Sequence, residues 1–123
     1  MRKIALALFL TCSTAAYADS ACENPKNDFD GLYCLIKLYQ ESDKELNDNY
    51  KNLVAKLDSQ GKAALKEGQL AWIKDRNGSC SRYEDGKFFV NMRCATDYTV
   101  SRSRFLRDRL RECASTGCQN SKL

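Results

Sequence analysis

The side chains best able to do chemistry in this 123-residue chain are its seven cysteines, its 16 carboxylates and a few polar residues at helical spacing. Histidine is absent. That removes the Ser-His and Cys-His nucleophile pairs and every histidine-containing zinc site. No Cys-x-x-Cys occurs, so a thioredoxin-like redox centre has no motif. Glu84 and Asp85 are adjacent, whereas paired acid–base hydrolysis needs two carboxyls facing a shared substrate. No catalytic residue, metal or cofactor is assigned, and the chain is not expected to be an enzyme.

The cysteines make most sense after the start of the chain is set aside. Arg2 and Lys3 precede the apolar run Ile4 to Leu10, and Ala16-Tyr17-Ala18 fits a small-x-small cleavage site. Residues 1–18 read as a signal peptide cut between Ala18 and Asp19. The run is far shorter than the ~20 residues of a membrane span. Phe9-Leu10-Thr11-Cys12 lacks the small residue usual before a lipidated cysteine, so no lipid anchor is expected. Cleavage leaves an even set: Cys22, Cys34, Cys80, Cys94, Cys113 and Cys118. In an exported chain, periplasmic or secreted, that reads as three disulfides stapling a small core. Loss of Arg2 and Lys3 takes the net charge from +4 to +2. Nucleic-acid binders carry a stronger basic excess, so no nucleic-acid partner is expected.

Three helices must position these groups. Residues 29–57 place Leu35, Leu38, Tyr39, Leu46, Tyr50, Leu53 and Leu57 on one face, with Ser42 and Asn49 as a polar notch. Asp58-Ser59-Gln60 is a turn with Ser59 as the expected N-cap. A second helix covers 61–78 and ends at Asn77-Gly78. Residues 79–92 read as a loop. A third helix covers 93–112, with Cys94, Ala95, Tyr98, Arg102, Phe105, Leu106 and Arg109 inward and Arg104, Arg107 and Arg111 outward. The outward arginines read as a solvated face with Asp108 and Glu112 interspersed. The fold class is all-α: a compact three-helix bundle with antiparallel long helices. The domain is expected over 19–118, with 119–123 a loose tail.

Short connections make successive helices antiparallel. Arg76 then comes level with Ser42 and Asp43, Gln69 with Asn49, Trp72 with Leu46, and Cys94 with Cys80, while Arg102 sits beside Trp72. Cys113 and Cys118 lie ~30 Å along the bundle from the other four at 1.5 Å per residue. A disulfide bridges Cα atoms only ~5.5 Å apart, so Cys113 pairs with Cys118. Three connectivities remain, and closeness in chain and level favours Cys80–Cys94 with Cys22–Cys34. Asp43, Asn47, Gln69, Trp72, Arg76 and Arg102 read as a structural polar network, with Asp43 as counter-charge for Arg76 and Arg102 stacked on Trp72.

The order Asp43-x-x-Leu46-Asn47-x-x-Tyr50-x-x-Leu53, Leu65-x-x-x-Gln69-x-x-Trp72-x-x-x-Arg76-x-x-x-Cys80, then Cys94-x-x-x-Tyr98-Thr99-x-x-Arg102-Ser103-x-x-Leu106 resembles the LprI-like lysozyme-inhibitor family across 43–106. The resemblance implies an extracytoplasmic helical domain that binds a protein, with lysozyme as a partner. Relatives often carry Gly-Gly-Ser between the two central cysteines, where this chain has Glu84-Asp85-Gly86-Lys87-Phe88-Phe89. Tyr83, Glu84, Asp85, Phe88 and Phe89 are therefore the candidate partner-binding loop. The competing reading folds those aromatics inward as a cap on the core. The competing function is an envelope structural or partner-binding protein, including an immunity-type partner of another secreted effector, without lysozyme activity.

Overall fold

Helix α1 spans Asp28–Val54, capped by Asn27, whose side-chain oxygen accepts from the Asp30 amide at 2.9 Å. Asp28 and Asp30 in its first turn and Lys51 in its last suit the helix dipole. Helix α2 spans Ser59–Cys80. Its cap is Asp58 rather than Ser59: the carboxylate accepts from the Gly61 amide at 2.7 Å, a charge-assisted bond a serine hydroxyl cannot match. Asn77-Gly78 does not end the helix, which runs on to Cys80. There the Ser81 hydroxyl donates to the Asn77 carbonyl at 2.6 Å. Strands β1 (Ser81–Glu84) and β2 (Lys87–Val90) pair antiparallel where a loop was expected. Helix α3 spans Met92–Ser115, capped by Asn91. The computed structural model describes residues 22–123; the expected signal peptide, its cleavage site and Cys12 lie outside the described residues.

The directions of the helices follow from a few contacts. Arg76 reaches the Tyr39 hydroxyl at 3.4 Å while the 55–58 turn closes the other end, so α1 and α2 are antiparallel. Gln69 meets Arg102 and Ser79 meets Tyr98, so α2 and α3 are antiparallel as well. Helices α1 and α3 consequently run the same way, and they form the most extensive helix contact of the described residues. The sequence aligns α1 with α2 and α2 with α3 and sets no register between α1 and α3. The physical reason for the α1–α3 contact is the buried row Ala95, Thr99, Ser103 and Leu106 on α3, mostly small side chains that let α1 come close. The hydroxyls of Thr96 and Thr99 donate back to the Met92 and Ala95 carbonyls at 2.7 Å, so their burial strands no donor. Asn49 in the α1 notch donates to the Ser103 hydroxyl at 3.2 Å, not to Gln69.

The apolar core sits toward the α1–α2 turn. Leu46, Leu53, Leu57, Leu65 and Leu106 are buried, with Tyr50, Trp72, Phe105, Leu110 and Leu123 packed around them. Residues 119–123, expected to hang loose, fold back onto this end. Asn120–Lys122 forms a 3-10 turn, and the Asn120 amide donates to Asp58 at 3.0 Å. Lys122 pairs with Glu112 at 3.5 Å, and Leu123 joins the core. The tail lies close on α2: a methyl group on Gly61 would run into the Asn120 amide oxygen. Disulfides join Cys22–Cys34, Cys80–Cys94 and Cys113–Cys118. No helix among the described residues is long and apolar enough to cross a membrane.

Candidate functional site

The hairpin between α2 and α3 is built from a two-residue turn. Asp85 and Gly86 have φ of 51° and 76°. Positive φ at both central residues makes the tight turn whose twist suits paired strands, and Asp-Gly is its preferred sequence. Tyr83 stands opposite Phe88, and Arg82 opposite Phe89. The Tyr83 and Phe88 rings lie 4.7 Å apart, tilted at 50°, on one face. On the other face the Arg82 guanidinium sits 4.5 Å over the Phe89 ring, and its Nε pairs with Glu84 at 3.1 Å. The base is held by Cys80–Cys94 and by the Asn91 amide donating to the Cys80 carbonyl at 2.8 Å.

The aromatics do not fold inward. Tyr83 is 65% exposed and Phe88 79%, and Phe89 and Val90 are exposed too. Two carboxylates and Lys87 share the tip with them. The arrangement suits contact with a protein: rigid aromatic surface beside charge, on a frame anchored at both ends. It offers no acid–base pair. Among the described residues no cluster of three or more His, Cys, Asp and Glu could hold a metal ion.

The polar residues singled out in the sequence divide into three local groups. Asn47 donates to the Asp43 carbonyl at 2.8 Å and to its carboxylate at 3.2 Å within α1. Arg76 does not pair with Asp43. It donates to Asn77 at 3.0 and 3.1 Å and stacks 4.9 Å over Trp72. Arg102 donates to Gln69 at 2.9 Å and lies 4.5 Å over Phe105 rather than over Trp72. Its Nη2 is buried without a hydrogen-bond partner among the described residues, and burial pulls the guanidinium down from its usual pKa. Trp72, Tyr98, Arg102 and Phe105 line an open groove of about 520 Å³ between α2 and α3. Of the outward arginines, Arg107 pairs with Glu45 at 3.3 Å and Arg111 with Asp108.

Two further signals in the sequence bear on this site. Asp85-Gly86 between aromatic runs announces a hairpin. Phe29, Leu32, Tyr33 and Ile36 carry helical spacing, yet all four are exposed.

A family model described as "Lysozyme inhibitor LprI" matches residues 16–106. An uncharacterized protein of Rhizobium meliloti (strain 1021) is 32% identical over 92 residues, 62% of this chain and 66% of that protein. The chain thus spans just under two thirds of that relative's length. No solved structure matches the chain.

Proposed function

The chain belongs to the LprI lysozyme-inhibitor family, and from that premise we propose that it is an exported, non-catalytic binding protein that inhibits lysozyme-type muramidases through the 83–89 hairpin. The family match over 16–106 carries the reading. The hairpin supports the location. Lysozymes are commonly basic, with a carboxylate-lined cleft. Glu84 and Asp85 at the tip suit the basic surface, and the Tyr83–Phe88 pair supplies an apolar wedge. The overall charge, +2 once the expected signal peptide is removed, gives no long-range attraction to such a target, so affinity rests on local contacts and a slow off-rate.

The test is a cell-lysis turbidity assay with the purified protein and several lysozymes. Wild type slows lysis. Replacing Tyr83, Glu84, Asp85 and Phe88 together with serine or alanine abolishes the effect and leaves the helical circular dichroism unchanged. Replacing Arg104, Arg107 and Arg111 leaves inhibition intact. Inhibition lost only in the arginine variant would move the site to the outer face of α3. No effect on any lysozyme would favour an envelope partner-binding role instead.

A further inference from the structure

Among the described residues, eight of the nine exposed large hydrophobic side chains lie on two elements, Leu70 being the exception. Four are on the hairpin. The other four, Phe29, Leu32, Tyr33 and Ile36, fall at i, i+3, i+4 and i+7 in the first turns of α1, which puts them on one face. Tyr39, bonded to Arg76, marks the side of α1 that faces α2. Ile36 and Leu32 precede it by three and seven residues, on that same side. Helix α2 stops at Cys80 and gives way to the hairpin, so the stripe has no helix over it. Tyr39, Val90 and Met92 line one cleft, which places the hairpin base at this end of α1.

The other flank of the overhang is covered. Cys22–Cys34 ties the preceding segment down, and Pro25 packs against Gly31. The chain thus shields one flank of the overhang and leaves an apolar stripe bare on the other. Contiguous exposed apolar surface marks a contact site. Its charge selects the kind of partner. Residues 22–37 and 81–90 together hold five carboxylates and four cations, a balance of −1 in a chain that is +2 once the expected signal peptide is removed. Asp28, Asp30 and Asp85 have no ion pair among the described residues. Lys26, Lys37 and Lys87 are likewise without an ion pair among the described residues, so the patch is nearly neutral and draws an anionic lipid surface little, whereas Asp28, Asp30 and Asp85 beside apolar anchors offer a basic protein local counter-charges.

We propose that the Phe29, Leu32, Tyr33 and Ile36 stripe is the second half of the partner site, so that a basic, lysozyme-type protein is held between the α1 overhang and the hairpin. This rests on the reading of the hairpin as the inhibitory element. Each half is tied by its own disulfide, Cys22–Cys34 or Cys80–Cys94, which limits the freedom lost on binding.

The experiment is calorimetric titration of a purified basic c-type lysozyme with wild type and with the double variant Phe29→Ser, Tyr33→Ser. These side chains are 84% and 70% exposed, so the thermal melt should match wild type. The expected result is an affinity loss of about 30-fold or more, the scale of an interface anchor. Leu70→Ser, on the helix that ends before the overhang, keeps wild-type affinity. A double variant that binds like wild type overturns this inference and leaves the hairpin reading standing. Absence of wild-type binding to c-, g- and i-type lysozymes alike overturns both. Two controls carry the other occupants: sedimentation with phosphatidylglycerol vesicles, and sedimentation velocity across a concentration series. Vesicle binding or self-association by wild type, lost in the double variant, would assign the stripe to lipid or to a second copy and overturn the proposal.

Discussion

Arg102 is the residue with most at stake. Its Nε has one side-chain acceptor, Gln69, its Nη2 has none among the described residues, and Phe105 supplies the stacking surface. Gln69→Leu should cost about 1.5–3 kcal/mol, the value of a hydrogen bond to a charged group. Adding Arg102→Met should recover much of that, since the stranded charge goes with its partner. Urea melts of the single and double variants give both numbers. Arg76 is a milder case. It sits on Trp72 and bonds Asn77 without a counter-charge, so Arg76→Ala should cost about 1 kcal/mol. A buried ion pair with Asp43 would have made the loss about 3–5 kcal/mol. Asp58 gives a pH signature. The Gly61 amide first, and then Asn120, lower its pKa below the usual carboxylate range. A lowered folded-state pKa contributes stability above about pH 4 that is lost as the pH falls through the folded value. Acid should therefore release Asn120 before the helices melt, seen as faster amide exchange in 119–123. Gly61→Ala should produce the same release at neutral pH.

The helices were largely legible, because each of them repeats leucines or aromatics on one face over many turns. What was not legible is which helices pack most closely. Apolar periodicity ranks large side chains, and the buried row on α3 includes Thr99 and Ser103, which that ranking passes over. The polar notch of α1 was visible at Ser42 and Asn49, but its partner Ser103 lay outside any apolar pattern. The hairpin is a local failure of another kind: apolar periodicity gives a loop over 79–92, although Asp85 and Gly86 both favour left-handed backbone. Its exposed aromatics were named from sequence, while their outward direction needed coordinates. The two halves of this lesson can be measured. Leu106→Ala, at a fully buried position in the core cluster to which all three helices contribute, should cost about 2–5 kcal/mol. Gly86→Val, at φ 76°, should cost about 1–2 kcal/mol and loosen the hairpin while α1, α2 and α3 keep their circular dichroism.

As a whole the molecule is held by different means at its two ends. At the α1–α2 turn a leucine core and the returning tail make the contacts, with Cys113–Cys118 as a short local staple. At the hairpin end the buried surface is small and hydroxyl-bearing, and Cys22–Cys34 and Cys80–Cys94 fasten the α1 overhang and the hairpin base. Replacing Cys80 and Cys94 with serine should cost about 2–4 kcal/mol by thermal melt. Hydrogen exchange should rise at the hairpin end more than around Leu53 and Leu106. The consequence concerns timing. A newly made chain among cytosolic thiols would hold its core end and leave the end that carries the proposed partner site unassembled. If the chain is the exported inhibitor proposed above, competence to bind would then arrive only with oxidation, outside the compartment where it was made. Reduced protein kept anaerobic should accordingly bind lysozyme poorly, and regain affinity when air is admitted.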